Sequence, residues 1–365
     1  METRVQAAFF SLLRSGLWEN NIDRIDLFPL NQDEWNWVLE QGRIHTVEGL
    51  LFQGIQKLPM NLTGSKAHLF ELAVRVEKIE QRNQLMNDVL AEQWTYFKNL
   101  GINAYLLKGQ GLANCYSQPN LRVCGDIDWY LPVQDDYNRL IEHLNKRGFE
   151  VKSDTNYSSN FIWNGFEIDL HQKLFDLHNP FNRGYLKDFE LKESNNFTLL
   201  AIHDQKIKVP SIAIQLVQTS SHILKHLLSF GIGLRQLCDI ARLYYHYSNQ
   251  LATLGLPKIF NRLDIYSWVK QLNKLLIDYL ALPADLIKNV GYSSKNADWM
   301  MKDIMQSGNF GYYDNEYIQF ENTGILSRRK TLKKISGNIF RYLPYAPMEA
   351  ISFPIAHYFS RSAIK

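Results

Sequence analysis

Residues Tyr105 to Leu131, YLLKGQGLANCYSQPNLRVCGDIDWYL, decide how the rest of the chain reads. The first half is a short apolar strand ending at Lys108-Gly109, a glycine turn, and then about two turns of helix. The second half reads as another strand carrying Asp126 and Asp128. Successive strand side chains point to opposite faces. The two aspartates therefore share one face, and Ile127 and Trp129 share the other, turned to a core. Two carboxylates side by side repel, and burying them unpaired is costly. A divalent cation offsets that cost, because magnesium is commonly held by one or two carboxylates and completed by substrate phosphates. Asp-x-Asp alone is a common tripeptide that fits an exposed turn. The apolar Ile127, Trp129 and Leu131 around it point instead to a metal site fed by a nucleoside triphosphate.

Working outward, the chain before this stretch is helical. QAAFFSLLRSGLW has apolar residues at helical spacing, and Asn31 to Glu34 has the form of a helix start before WNWVLEQGRI. Ser65 to Leu100 repeats apolar residues over many turns, with Glu77, Lys78, Glu80 and Arg82 on an ordinary solvated face. From Gly101 the period changes to two. Gln134 to Lys146 is a helix closed by Arg147-Gly148, FEV begins a third strand, and FIWNGFEIDLHQKL is a hairpin turning at Asn164-Gly165. HDQKIKVP adds a short strand before Pro210. The middle third is thus α+β with a mixed or antiparallel sheet. After Ser211 three segments are helical again: IAIQLVQTSSHILKHLL, GLRQLCDIARLYYHY and YSWVKQLNKLLIDYLAL. The division expected is a helical region 1–98, a core 99–210, and a helical region 211–365 with a basic tail.

With 365 residues the chain is long enough for two or three domains or one large core with additions. A hydrophobic share of 45% with 21% charged residues is that of a soluble globular protein, and a net charge of +3 gives no sign of a polyanionic partner. Cys115, Cys124 and Cys238 have no metal-ligand spacing and suit reduced thiols in a cytoplasm. The N-terminal stretch lacks a signal-peptide pattern, and no run approaches the length of a membrane span, so integral membrane association is not expected. The tail SRRKTLKKISGNIFRYLPYAP followed by ISFPIAHYF could meet a membrane surface or nucleic acid, but its prolines favour a helix lying on its own domain.

A third acid turns the aspartate pair into a candidate enzyme site. Asp169 lies in FEIDLH, with Ile168 and Leu170 on the opposite face and His171 on its own. Three carboxylates can hold two metals that clamp the attacking and leaving oxygens of a phosphoryl transfer. Asp126 and Asp128 would hold the nucleotide metal, and Asp169 would complete a second site and act as, or position, the base. Asp169 would otherwise be an edge-strand acid facing water.

This layout resembles the DNA polymerase beta-like nucleotidyltransferase superfamily. More closely, LLKGQGLANCYSQPNLRVCGDIDWYLP is similar to the leucine-lysine-glycine and arginine-x-x-x-aspartate-x-aspartate motifs of its uncharacterised bacterial nucleotidyltransferase family. FEIDLHQKL resembles that family's aspartate-leucine-histidine strand, and SSHILKHLLSFGIGLRQLCDIARL its helices bearing histidine, arginine and aspartate. The likeness runs over roughly residues 40–340. It implies an α+β, nucleotidyltransferase-like mixed sheet flanked by helical regions. It also implies transfer of a nucleoside monophosphate from an NTP, ATP first among them, with magnesium or manganese, and release of pyrophosphate. The acceptor, a hydroxyl or phosphate on a small molecule, sugar, peptide or RNA, is not legible. Asp126, Asp128 and Asp169 would be catalytic and metal-binding. Lys108, Gly109, Gln110, Gly111, Arg122, His171, Arg235 and Asp239 would line the nucleotide.

The sequence departs from the superfamily at its glycine-serine turn, which here is Lys108-Gly109-Gln110-Gly111 with no hydroxyl after Gly109. Backbone N–H groups can still cradle phosphate there, and Lys108 could supply charge, though a lysine at a strand end also snorkels. For Arg122 a salt bridge is the safer reading, and Arg235 and Asp239, four apart, could simply pair on one helix. His222 and His226 share a helix face without the glutamate of a zinc protease, which marks them as core or helix-contact histidines. Two other readings stay open. One is a non-catalytic nucleotide-binding or antitoxin-like module of the same fold. The other is an Asp-x-Asp glycosyltransferase, disfavoured because helices rather than an α/β half precede the motif.

Overall fold

The computed structural model describes residues 3–155, 158–229, 231–309 and 337–362. Four helices come first: α1 (Arg4–Trp18), α2 (Gln32–Ile44), α3 (Glu48–Ile55) and α4 (Lys66–Asn99). Helix α2 starts where Asn31 and Glu34 predict it, with the side chain of each accepting from the other's backbone N–H in a capping box. Then follow β1 (Tyr105–Leu107), α5 (Gly109–Ala113), β2 (Ile127–Tyr130), α6 (Gln134–Lys146), β3 (Lys152–Thr155), β4 (Ser158–Trp163) and β5 (Phe166–His171). The order in space is β1-β2-β5-β4-β3. β2 and β5 are parallel, and the remaining neighbours are antiparallel. The β4–β5 turn is the expected Asn164-Gly165 pair, both in the left-handed region at φ 47° and 80°.

The sheet has two chemically different faces. Leu106, Trp129, Leu170, Ile168 and Phe161 point to one side, where Val89, Leu90 and Phe97 of α4 and Leu140 and Leu144 of α6 complete a dry core. Trp129 is fully buried, meets Phe97 edge-on at 5.1 Å, and donates its indole N–H to Gln93 at 2.8 Å. Truncating such a side chain to alanine costs about 3–5 kcal/mol. The other face carries Leu107, Asp128, Asp169 and His171, by the alternation of the strands. Its β1 edge, through Tyr105, Leu107 and Tyr130, joins a larger core built from the N- and C-terminal helices.

The C-terminal helices are α7 (Arg183–Glu193), α8 (Ile212–Leu228), α9 (Leu234–His246), α10 (Leu256–Arg262), α11 (Tyr266–Leu280), α12 (Asp298–Ser307) and α13 (Pro347–Ser362). Between α7 and α8 stands a separate hairpin, β6 (Thr198–Ile202) with β7 (Gln205–Val209). Several local readings shift. The strand expected at FEV lies later, at β3, because Phe149 is used for packing and stacks on Trp163 at 4.7 Å. β6 was not read from the sequence, and α5 is shorter than two turns. Arg82 is not a plain solvated residue, since it donates to the Gly125 carbonyl at 3.1 Å and lies over the Phe166 ring. The basic residues 327–336 lie outside the described residues. The apolar end of the tail does lie on its own chain: the buried Glu349 of α13 accepts from the backbone N–H groups of His178 and Asn179. No helix among the described residues is long and apolar enough to cross a membrane.

Candidate functional site

The parallel pairing of β2 with β5 sets Asp128 directly beside Asp169. On β5 burial alternates, with Ile168 and Leu170 in the core and Asp169 and His171 half-buried on the open face. His171 Nε2 donates to Asp128 Oδ1 at 2.7 Å. Asp128 itself is only 5% exposed, so its charge depends on these partners rather than on water. Asp126, one residue before β2, is exposed.

Lys108 closes β1 and opens α5 with φ 41° and ψ −136°, a conformation strained for a lysine, and Gly109 follows at φ 35°. Such strain is commonly kept at functional sites. The turn sits against the strand start: a Cβ on Gly109 would stand 3.5 Å from the Asp126 carbonyl oxygen. Lys108 Nζ lies 3.8 Å from Asp128 Oδ1. Gln110 faces the other way. It is buried and donates to Asn83 of α4, and Asn83 in turn donates to the carbonyls of Asn120 and Arg122. Gly111 is buried in α5 against Val209.

The charges respond to one another. Burial opposes ionisation of Asp128, but Lys108 and the His171 hydrogen bond outweigh it and hold the carboxyl well below the usual range. Burial, followed by the charge of Asp128, pushes Asp169 up to about 6. Asp126 is raised as well, by the protein crowded around the strand start and by the charge of Asp128, although its own side chain reaches solvent. Lys108 is desolvated too, yet Asp128, Asp176, Asp126 and Asp169 together raise it above an ordinary lysine. One cation thus answers several carboxylates, and negative charge remains in excess.

The remaining predicted residues form a separate grip. Arg122 places Nε 2.6 Å from Asp239 Oδ1 and a terminal nitrogen 2.7 Å from Oδ2, and the Tyr116 hydroxyl donates to the same carboxylate. Arg235 donates to the Val123 carbonyl rather than to Asp239. Further along α9, Arg242 donates to the Cys115 carbonyl. These residues clasp the segment that feeds β2. They position Asp128 without touching it.

Three residues not predicted stand near Lys108. Asp176, in the segment after β5, accepts from His222 Nδ1 at 2.9 Å and from Lys225 Nζ at 2.8 Å, both on α8. The His222 and His226 rings meet edge-on at 4.4 Å. The spacing of His222, Lys225 and His226 on one helix face is visible in the sequence; the carboxylate that His222 and Lys225 share, forty-six and forty-nine positions away, is not.

Asp128, Asp169 and His171 each offer a ligand atom within 4.8 Å of the others. Asp126 is outside that group. Two adjacent carboxylates, of which Asp169 has no ion-pair partner among the described residues, and an imidazole fit a divalent cation, manganese accepting the nitrogen more readily than magnesium. To serve as a ligand through Nε2, His171 would exchange its proton for the cation.

A family model described as "Uncharacterised nucleotidyltransferase" matches residues 31–276, more than half of the chain. No protein of curated function matches. Among solved structures, an antigenic nucleotidyltransferase-like protein from Paracoccidioides brasiliensis is similar over 60% of this chain and 95% of that chain. Its identity with this chain is 15% and the TM-score is 0.34.

Proposed function

The chain belongs to this uncharacterised nucleotidyltransferase family, and from that premise we propose that it transfers a nucleoside monophosphate from an NTP, ATP first among them, to a hydroxyl or phosphate acceptor, releasing pyrophosphate. The observation that carries this reading is the side-by-side register of Asp128 and Asp169, with His171 and Lys108 beside them. Asp128 and Asp169 would hold a magnesium or manganese ion, with His171 as a third ligand and Asp126 at the rim. Such an ion, when bound, neutralises charge on the phosphates and activates the α-phosphorus towards attack. Lys108 contributes the fixed positive charge that the missing serine hydroxyl of the turn does not. Gly109 lets the backbone of the turn approach a phosphate closely, while Gly111 lets α5 pack against Val209. Arg122, Arg235 and Asp239 hold the β2 loop in register. Catalysis on this account rests on positioning and charge neutralisation, with no covalent intermediate. Three buried free thiols agree with a cytoplasmic setting.

A second reading is favoured by one observation. Asp128 is already compensated by Lys108 and His171 without a cation, as in a binding module that has lost its chemistry. Calorimetry with ATP, with and without magnesium chloride, separates the two. The transferase reading expects magnesium-dependent ATP binding that weakens at least tenfold in Asp128→Asn, and pyrophosphate release by the wild type. Binding that ignores both magnesium and this substitution would sink the metal-site assignment.

A further inference from the structure

The Asp176–His222–Lys225 cluster lies outside the metal carboxylates, yet Lys108 connects the two. Asp176 and Asp128 are the two carboxylates that raise Lys108 most, and Asp176 follows the end of β5, where His171 meets Asp128, by only a few residues. The cluster is built in a definite order. Both carboxylate oxygens of Asp176 are engaged, Oδ2 by His222 Nδ1 and Oδ1 by Lys225 Nζ. A ring whose Nδ1 faces a carboxylate carries its proton on Nδ1 and presents a lone pair at Nε2. His222 Nε2 has no hydrogen-bond partner among the described residues, and the side chain keeps 18% of its surface exposed. The ring is held from its other side by His226, and α8 is fixed to the strand end one turn earlier, where Gln218 donates to the Leu174 carbonyl.

Resting on the transferase reading, we infer that His222 is the general base for the acceptor hydroxyl, oriented by Asp176. The acceptor is therefore an alcohol-bearing molecule. In the step, the acceptor oxygen forms a bond to the α-phosphorus of the NTP while its proton passes to His222 Nε2. The bond from the α-phosphorus to the bridging oxygen breaks, and pyrophosphate leaves with that electron pair. The imidazolium is stabilised by Asp176 and gives its proton to solvent. Asp169 is then left to its metal role and need not act as base. Burial, with Lys108 nearby, lowers His222 to about 4 in the free protein, which keeps the ring neutral at physiological pH; the negative charge of a bound nucleotide raises it towards the range in which a base works.

Two measurements test this. Nitrogen-15 NMR of the wild-type imidazoles reads the tautomer with no acceptor needed: His222 should be neutral at pH 7.5 with the proton on Nδ1, and should lose that preference in Asp176→Asn. A proton on Nε2, or a charged ring, overturns the inference. The second follows pyrophosphate release from ATP and magnesium, with water and a low-molecular-weight metabolite fraction as acceptors. His222→Ala should fall at least 10²-fold, keep its affinity for α,β-methylene-ATP within threefold, and regain at least tenfold with added imidazole. Asp128→Asn should not respond to imidazole. If His222→Ala turns over like the wild type, or imidazole restores nothing, while Asp128→Asn is inactive, the base assignment fails and the transferase reading survives. If the wild type itself releases no pyrophosphate, both fall.

Discussion

Two buried charge clusters stand at opposite ends of the same short segment, and they are built on opposite terms. Between Arg122 and Asp239 every strong group is used: two contacts of 2.6 and 2.7 Å join guanidinium to carboxylate, and the Tyr116 hydroxyl takes a further lone pair. At Asp128 the partners are one histidine hydrogen bond and a lysine 3.8 Å away. Asp169 beside it has neither an ion-pair nor a hydrogen-bond partner among the described residues. A saturated cluster is a clamp. An unsaturated one of like charges, kept at a cost, is a receptor for something positive.

The largest effect should come from breaking the clamp. Asp239→Ala leaves Arg122 buried and uncompensated and should cost about 3–5 kcal/mol in urea unfolding. The double variant Arg122→Met/Asp239→Leu should recover much of that loss. Equal stability of single and double variants would show that the pair is not a clamp.

The receptor cluster should respond with the opposite sign. The folded carboxyl of Asp169 sits at about 6, above its unfolded value, so folding favours its protonated form. Its contribution is fully present below the unfolded pKa and is lost as pH rises through about 6. Asp169→Asn should therefore stabilise the protein at pH 8 by about 1–3 kcal/mol, with the gain vanishing below pH 4. Denaturant titrations at the two pH values check this. A variant less stable than wild type at pH 8 would mean that Asp169 is already satisfied.

The smallest change in stability belongs to Lys108. Lys108→Gly relieves the left-handed backbone while removing the charge, so stability should move by no more than about 1 kcal/mol. ATP affinity in magnesium should still drop by about 1–3 kcal/mol, the scale of a charge-assisted hydrogen bond. If Lys108→Gly binds as the wild type does, the residue serves the turn and not the phosphate.

What the sequence discloses follows from the range of each signal. The capping box at Asn31, the Asn164-Gly165 hairpin and the limits of α6 and α8 rest on chemistry within a few residues, and the structure has them. The shared face of Asp128, Asp169 and His171 follows from strand alternation once the strands are paired. Arg122 was legible as a salt-bridging residue, but its partner lies 117 positions away on α9, and no local pattern names it. The Asp176–His222 contact spans 46 positions and was missed for the same reason. The displaced third strand shows a different limit: Phe149 and Val151 have strand-like alternation, yet they pack against the core from a loop.

The most direct test of the central claim is a crystal soaked with manganese chloride and α,β-methylene-ATP, read by anomalous scattering at the manganese edge. The account predicts a peak bridging the carboxylates of Asp128 and Asp169, with the nucleotide's phosphates completing its ligands and Lys108 beside them. Nucleotide bound elsewhere, or bound at the turn with His171 still on Asp128 and no manganese between the two aspartates, would contradict it.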